Sequence, residues 1–319
     1  MTKEPLDPDF QLLIDQIAAA EAAGAPCWHE LTAEELRAAT RDMRKGAALV
    51  AGVATRDLRI DGAAGPLSAR LYVPAGAPEF GPGLIYFHGG GFTIGSIDTH
   101  DAIVAQLATA SGVKILSVDY RLAPEHRFPA AHDDALASSR WAFDNAATIG
   151  FDRSRIGIGG DSAGANLAAS ACLDMRGDVG RPVRFQFLLY PNTTIDGLTT
   201  SRQLYATGHY LTLATANHLF RQYVDIIQAM DPRVDLLRQT DVSGLPATFL
   251  AVGHCDILFD ECLAYADKLH NADVPLTLRT YPGFIHGFYG FGHRANKVSE
   301  AFQDAGRALA SGIGHRPHL

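Results

Sequence analysis

The spacing of apolar residues changes along the chain, from helical near the start to a long alternation of strands and helices. Residues 1 to about 50 place apolar residues at helical spacing, in DFQLLIDQIAAAEAAG and TAEELRAATRDMRKGAALV. From Arg56, RDLRIDG and LSARLYVP alternate around the turn residues GAAGP, which predicts two paired strands. Six later runs also predict strands: GLIYFHGG, VKILSVDYR, RIGIGG, VRFQFLLYP, ATFLAVG and LTLRTYPG.

Helical patterns separate most of these later strands. They are SIDTHDAIVAQLATASG, the second half of RLAPEHRFPAAHDDALASSRWAFDNAATIG, AGANLAASACLDM, DECLAYADKLHNAD and ANKVSEAFQDAGRALASG. Such alternation predicts an α/β fold with a mostly parallel sheet covered on both faces. The segment from about Asn192 to about Met230 breaks it, because this segment is first polar and then helical (LATANHLFRQYVDIIQAM). Together with the N-terminal helices, it is predicted to form a cap over the carboxyl edge of the sheet.

Composition and charge narrow the class of protein. The 319 residues are 47% hydrophobic and 19% charged, and one large α/β domain with insertions or two domains would fit. A net charge of −8 without a Lys/Arg-rich block argues against a nucleic-acid partner. The four cysteines form no C-x-x-C pair, so neither a zinc site nor a disulfide framework is indicated. The N-terminus has no apolar signal core and no run reaches transmembrane length, so we expect a cytoplasmic protein without a membrane partner.

Ser162 lies in IGIGGDSAGANLAA, between Gly160 and Gly164, where a predicted strand passes into a predicted helix. One interpretation is a tight turn in which a serine is merely compatible. The other is a nucleophile elbow, G-x-S-x-G, whose strained strand-to-helix turn exposes the serine hydroxyl. This stretch alone leaves both interpretations open.

A catalytic serine needs a base, usually histidine, and a group that orients that base. In one chain order for such triads, the serine is followed by an acid and then by the histidine. Asp256 follows the run ATFLAVGHC, and His286 lies in YPGFIHGF, after the last predicted strand. His254 and Asp260 are rival candidates nearby. The joint order with Ser162 favours Asp256 and His286, which would meet Ser162 at the carboxyl edge of the sheet.

Three consecutive glycines end the run YFHGGGF, from Tyr86 to Phe92. They fit a flexible loop, and they also fit an oxyanion hole. Acyl transfer builds negative charge on the carbonyl oxygen, and backbone N–H groups must come within about 3 Å of it. Glycines permit that approach because they have no Cβ. The N–H of Ala163, directly after Ser162, would add a further donor.

Four motifs in this order resemble the hormone-sensitive-lipase-like family of α/β-hydrolases, the bacterial family IV esterases of the GDSAG subgroup. They are HGGGF, DYRLAPEHRFPAA, GDSAG and PGFIHGF, and the resemblance covers essentially the whole chain. It implies a single α/β-hydrolase domain over residues 1–319 with an eight-stranded, mostly parallel sheet. It also implies a helical cap formed by about 1–50 and about 192–230, and ester hydrolysis without a cofactor.

The resemblance also implies a role for each matching residue. The catalytic roles fall on Ser162 as nucleophile, Asp256 as acid and His286 as base. The oxyanion donors are the N–H groups of Gly90, Gly91 and Ala163. One departure is visible, because the family often has D-P-L-R-D-E around the acid and this chain has DILFDE. Without the proline and arginine, this loop is expected to be less constrained or to line the pocket differently.

These observations predict a serine carboxylesterase that acts on a small-molecule ester with a short to medium acyl chain. An amidase, a lactonase or a carbamate hydrolase would use the same triad, and a homodimer is left open. A binding protein on the same scaffold is disfavoured, since the plant gibberellin receptors that resemble this family lack a complete triad. Structural roles are expected for Asp161 (hydrogen bonding), His88 (bracing the glycine loop) and Glu125, His126 and Arg127 (ion pairs). A mostly core position is expected for Phe92, Phe284, Phe288 and Tyr289, some of which could wall the acyl pocket.

Overall fold

An eight-stranded sheet forms the centre of the structure. The structure is a computed structural model, and it describes residues 3–44, 50–292, 295 and 297–314. The spatial order of the strands is β1-β2-β4-β3-β5-β6-β7-β8. Strand β2 runs antiparallel to both of its neighbours, and β3 to β8 run parallel. The strands are β1 (Val53–Gly62), β2 (Gly65–Pro74), β3 (Gly81–Phe87), β4 (Lys114–Asp119), β5 (Phe151–Asp161), β6 (Val183–Leu189), β7 (Ala247–Cys255) and β8 (Leu276–Ile285). All eight runs predicted as strands form strands.

The α-helices of the described residues agree with most of the predicted helical patterns. The Ser96 hydroxyl caps the first turn of one helix, and Gly112 ends that helix in the left-handed conformation, as a glycine stop predicts. The helices are α1 (Pro8–Ala22), α2 (Ala33–Arg44), α3 (Ile97–Ser111), α4 (Ala130–Asp144), α5 (Ala163–Asp174), α6 (Thr200–Leu204), α7 (Leu213–Tyr223), α8 (Phe259–Asn271) and α9 (Val298–Gly312).

The central strands are buried on both faces. Every residue of β3 is buried, and so are the first five residues of β4. Helix α3 packs against α9, and α4 packs against α5. The predicted α/β fold, with a mostly parallel eight-stranded sheet between helices, is therefore confirmed.

One predicted helix is shorter than its pattern suggests. The pattern LATANHLFRQYVDIIQAM predicts a helix to Met230, but α7 ends at Tyr223 and Val224 is extended. Asp225 then starts a new turn, because its carboxylate accepts a hydrogen bond from the Gln228 N–H at 2.8 Å. Asp and β-branched residues have low helix propensity, and an Asp side chain competes for backbone N–H groups.

The two segments expected to form a cap contact each other and the sheet's loops. The Trp28 ring packs edge-on against Tyr210, with 5.8 Å between ring centroids. In α2, the Arg37 guanidinium donates to the carbonyl oxygen of Thr93 at 2.9 Å and forms an ion pair with Glu125 at 2.7 Å. An ion-pair role for Glu125 agrees with the sequence analysis. Residues 1–2 and 45–49 of the expected cap lie outside the described residues.

A buried histidine connects three parts of the fold. Nδ1 of His132 in α4 lies 2.6 Å from the Tyr223 hydroxyl of α7. Its Nε2 lies 3.0 Å from Oδ1 of Asn166 in α5 and 3.0 Å from the Arg233 carbonyl oxygen. A neutral ring fits these partners, since one nitrogen accepts from the hydroxyl and the other donates. Burial lowers the pKa of His132 to about 4.

This histidine is predicted to make the fold sensitive to acid. Below its ordinary pKa of about 6.5, His132 takes up a proton in the unfolded chain but stays neutral in the folded one until about pH 4. His132 by itself should therefore lower the free energy of unfolding by up to about 3 kcal/mol as the pH falls through this window, and the buried His88 adds to the fall. Urea unfolding between pH 7.5 and 4.5 measures the fall.

The variant His132→Asn should reduce the slope of unfolding free energy against pH by roughly 1.2 kcal/mol per pH unit between pH 6 and 4.5. The matched control is His29→Asn at an exposed histidine, which should keep the original slope. Parallel pH curves for the parent and His132→Asn would contradict this origin of the acid sensitivity.

Candidate active site

The backbone turns sharply at Ser162, between the end of β5 and the start of α5. Ser162 has φ 54° and ψ −119°, a conformation that residues other than glycine rarely adopt. A Cβ on Gly160 or on Gly164 would overlap the carbonyl group of Phe87 in β3. The two glycines therefore let the turn pass close to β3 while the serine takes the strained position. This geometry is that of a nucleophile elbow.

A chain of hydrogen bonds runs from Ser162 to Asp256. The Ser162 Oγ lies 2.9 Å from Nε2 of His286, and Nδ1 of His286 lies 2.7 Å from Oδ2 of Asp256. The other oxygen of Asp256 accepts the Leu258 N–H at 2.8 Å. The three side chains follow β5, β7 and β8, so they meet at the carboxyl edge of the sheet, where the sequence placed them.

The two rival candidates, His254 and Asp260, contact residues outside the Ser162 hydrogen-bond chain. Nδ1 of His254 lies 4.0 Å from a carboxylate oxygen of Glu4. A carboxylate oxygen of Asp260 accepts the Ser201 N–H at 2.8 Å. Neither side chain takes part in the hydrogen-bond chain from Ser162. Among the chosen and rival candidates, geometry brings only Asp256 and His286 to the serine.

The glycine loop lies against the same cavity as Ser162. Gly90 and Gly91 have φ 127° and 57°, in the region that favours glycine. The N–H of Gly89 donates to Oδ1 of Asp161 at 2.9 Å, so it is already engaged. No hydrogen bond within the described part of the chain engages the N–H groups of Gly90 and Gly91. The Ala163 N–H lies at the first position of α5, where helix geometry provides no acceptor.

Asp161 and His88 hold the glycine loop from behind. Besides Gly89, Oδ1 of Asp161 accepts the Tyr86 hydroxyl at 2.8 Å, and its Oδ2 lies 3.4 Å from Nε2 of His100. Burial raises the pKa of Asp161, but the His100 charge and the hydrogen bonds from His100 and Tyr86 lower it overall. The pKa of His88 falls to about 3, chiefly by burial, which keeps it neutral. Both residues thus suit the structural roles that the sequence indicated.

A cavity of about 100 Å³ opens above the serine, and two groups of residues form most of its wall. The first comes from the carboxyl edge of the sheet: Gly89, Gly90, Gly91, Ser162 and His286. The second comes from the segments expected to form the cap: Trp28, Thr40, Tyr210, Leu211, Leu219 and Phe220. Sequence reasoning did not find this second group, because apolar residues in cap helices carry no signal that separates pocket wall from core.

The aromatic residues considered from the sequence lie behind the cavity. Phe92, Phe284, Phe288 and Tyr289 are buried and do not line it. Tyr190, which the sequence analysis did not single out, lines the cavity with its ring centroid 4.9 Å from that of His286. Tyr190 also has a positive φ of 36°, directly after β6. This backbone conformation marks the residue as unusual, but it is visible only in the structure.

The loop after Asp256 is fixed by α6. The Arg202 guanidinium forms a buried ion pair with Glu261 at 2.8 Å, and the Ser201 hydroxyl donates to the Ile257 carbonyl at 2.9 Å. Burial raises the pKa of Glu261 to about 7, although Arg202 opposes this. Contacts with α6 therefore hold this loop in place, and its Leu258 lines the cavity.

None of the helices in the described ranges is long and apolar enough to cross a membrane. Within the same ranges, no group of three or more His, Cys, Asp or Glu side chains is arranged to hold a metal ion.

Comparison with known proteins defines the class. A family model for the alpha/beta hydrolase fold matches residues 84–290. Esterase LipI of Mycobacterium tuberculosis is 36% identical over 80% of this chain and 80% of its own length. The ethyl acetate hydrolase of Pseudomonas putida is 34% identical over 92% of this chain and 95% of its own. The chain therefore belongs to the α/β-hydrolase family.

The solved structures narrow this class. The ester-hydrolase EH1AB1 from the metagenome of Lake Arreo superposes with a TM-score of 0.91 at 37% identity, covering 97% of this chain and 99% of that one. Within the family, this protein is a carboxylesterase of the hormone-sensitive-lipase-like group, which hydrolyses carboxylic esters.

Alanine substitutions in the glycine loop are predicted to differ in effect. A Cβ on Gly90 would overlap the backbone carbonyl of Ile94, which cannot move aside alone, and its φ excludes alanine. A Cβ on Gly91 would lie 2.8 Å from the Leu219 Cβ, and its φ is tolerated at modest cost. On a p-nitrophenyl ester, Gly90→Ala should lower kcat by at least about 100-fold, and Gly91→Ala by roughly tenfold.

The matched control is Gly177→Ala, at a positive-φ glycine with no atom near the added Cβ and outside the cavity. It should lower thermal stability slightly and leave kcat unchanged. Equal kcat values for Gly90→Ala and the parent would show that the position of this loop does not govern hydrolysis.

Proposed function

We propose that this carboxylesterase works through a Ser162–His286–Asp256 triad and an oxyanion hole, and that its substrates are esters with short to medium acyl chains. The observation that carries the proposal is the continuous hydrogen-bond chain from Ser162 Oγ to the buried Asp256 carboxylate. A serine hydroxyl is a weak nucleophile, and this arrangement supplies both a base and a group that orients it.

In the first half-reaction, His286 Nε2 takes the Ser162 proton as Oγ attacks the carbonyl carbon of the ester. Asp256 holds the ring so that Nε2 faces the serine, and it stabilises the imidazolium that forms. The tetrahedral intermediate then expels the alcohol, which receives the proton from His286. Water repeats these steps on the acyl-enzyme, releasing the acid and restoring Ser162.

The oxyanion that forms in each half-reaction needs donors that are already in place. Gly90 and Gly91 line the same cavity as Ser162. The Ala163 N–H follows the serine directly, at the start of α5. Each donor of this kind contributes roughly 3–4 kcal/mol to transition-state stabilisation. Because Asp161 engages the preceding Gly89 N–H, the loop is fixed before substrate binds.

The size and lining of the cavity support short to medium acyl chains. A cavity of about 100 Å³ whose wall includes Trp28, Tyr210, Leu219 and Phe220 offers limited room. We propose that the segments of about 1–50 and about 192–230 act as the cap that closes it. Within the cavity, each added methylene contributes up to about 0.8 kcal/mol, and beyond it crowding reverses the gain. One relative is named for hydrolysis of ethyl acetate, a short ester.

Removal of either reacting side chain is predicted to abolish turnover. Ser162→Ala and His286→Ala should each lower kcat on p-nitrophenyl butyrate by at least about 1,000-fold, and the double variant should lose little more. Asp256→Asn should also be severe, since the ring then loses its orienting carboxylate. Steady-state kinetics measure these losses, and thermal melting checks that each variant is folded.

His254→Ala is the matched control, because this rival histidine lies outside the hydrogen-bond chain, and it should retain near-parent kcat. A fluorophosphonate probe should label the parent and leave Ser162→Ala unlabelled. Near-parent activity in His286→Ala, or labelling of Ser162→Ala at another residue, would overturn the proposed triad. Preferential turnover of an amide, a lactone or a carbamate would assign the same triad a different substrate class.

The acyl-chain preference is predicted to peak at a short to medium length. A series of p-nitrophenyl esters from acetate to palmitate should show kcat/KM rising and then falling, because the cavity admits a limited number of methylenes. Emulsified long-chain triglyceride should be hydrolysed poorly. A maximum at palmitate, or a jump in rate when the substrate forms an interface, would contradict this view of the cavity.

A further inference from the structure

A second, larger groove lies on the other side of one residue of the active-site cavity. This groove has a volume of about 390 Å³ and is lined by residues of the 195–229 segment. Phe220 is the residue that lines both the cavity and the groove. The residue is 5% exposed, so its ring is packed inside the protein. Phe220 is therefore the point at which the linings of the cavity and the groove meet.

The geometry of α7 explains this position. Thr215, Ala216 and Leu219 face the cavity, while Leu213 and Asn217 face the groove. At about 100° per residue, Phe220 lies about 40° from Ala216 on one side and about 20° from Leu213 on the other. It therefore occupies the boundary between the two faces of the helix.

Part of the groove wall is apolar, although charged residues such as Arg221 and Asp225 also line it. Leu213, Val224 and Ile195 contribute to its walls. Leu198 and Ile226 also line it, and they are 96% and 87% exposed. Large apolar side chains at such exposure gain free energy when an apolar ligand covers them. An alkyl chain that passed the Phe220 position would meet these residues next.

We propose that Phe220 sets the upper limit on acyl-chain length by separating the active-site cavity from this groove, and that the groove accepts the distal methylenes when the ring is removed. The inference rests on the proposed function, because it concerns the acyl chain of the ester that Ser162 attacks. It assigns the length limit to one side chain of α7, while the rest of the cap sets the width of the cavity.

The test is the ratio of kcat/KM for p-nitrophenyl decanoate to that for p-nitrophenyl butyrate, measured with monomeric substrate. In Phe220→Ala this ratio should rise roughly tenfold or more, since each methylene newly buried can contribute up to about fourfold. In Phe220→Trp it should fall, because a larger ring shortens the cavity. Phe220→Leu should give a smaller rise, and it serves if Phe220→Ala fails to fold by thermal melting.

Variants at two groove residues test whether the acyl chain enters the groove in Phe220→Ala or only occupies a larger active-site cavity. Val224→Ala enlarges the groove without opening the boundary, and it should leave the ratio unchanged. Ile226→Asp places a charge in the groove at an exposed position. It should leave the parent ratio unchanged but remove most of the gain in the Phe220→Ala background. A gain that survives Ile226→Asp undiminished would overturn the role of the groove.

The experiment also distinguishes this inference from the function on which it rests. An unchanged ratio in Phe220→Ala and Phe220→Leu, with butyrate hydrolysis that still requires Ser162, would overturn the inference and leave the proposed function intact. Butyrate hydrolysis that persists in Ser162→Ala would overturn the proposed function itself.

Discussion

The active site depends on the close approach of the start of α5 to the end of β3. At this point Gly160 and Gly164 face the Phe87 carbonyl, and no side chain would fit between. The approach forces Ser162 into a left-handed conformation, which costs of order 1–3 kcal/mol. The chain continues from β3 into the glycine loop, so this one contact fixes the proposed nucleophile and the proposed oxyanion donors relative to each other. Catalytic geometry of this kind requires positions accurate to about 0.5 Å.

The electrostatic arrangement around this contact keeps the working groups apart from the supporting ones. Asp161 lies next to Ser162 in the chain and lines the same cavity, yet its carboxylate contacts Gly89 and His100 and makes no contact with His286. His88 is held neutral by burial, so it can brace the loop without competing for protons. His286, in contrast, lies between Asp256 and the serine. Two Asp–His arrangements thus lie close together, and only one contacts Ser162, the proposed nucleophile.

Much of the sheet and the helices, together with the triad positions, could be predicted from the sequence, because each depends on local pattern. Buried strands give apolar runs, glycines mark the tight turn at Ser162, and the order of acid and histidine follows strands whose ends must share one edge. The end of α7 was less predictable. Its apolar spacing continues past Tyr223, and only the extended Val224 shows where the helix stops.

The sequence by itself determined the fold class and the ester-hydrolysis chemistry. Short motifs of restricted residue type and order indicate both. The order of the motifs already favoured Asp256 and His286 over Asp260 and His254, but only the tertiary structure decided that the favoured pair lies within hydrogen-bond distance of the serine network. It also decided the shape of the cavity. Trp28 is distant in the chain from Tyr210 and Phe220, and their convergence depends on how the helices pack, which apolar pattern does not specify.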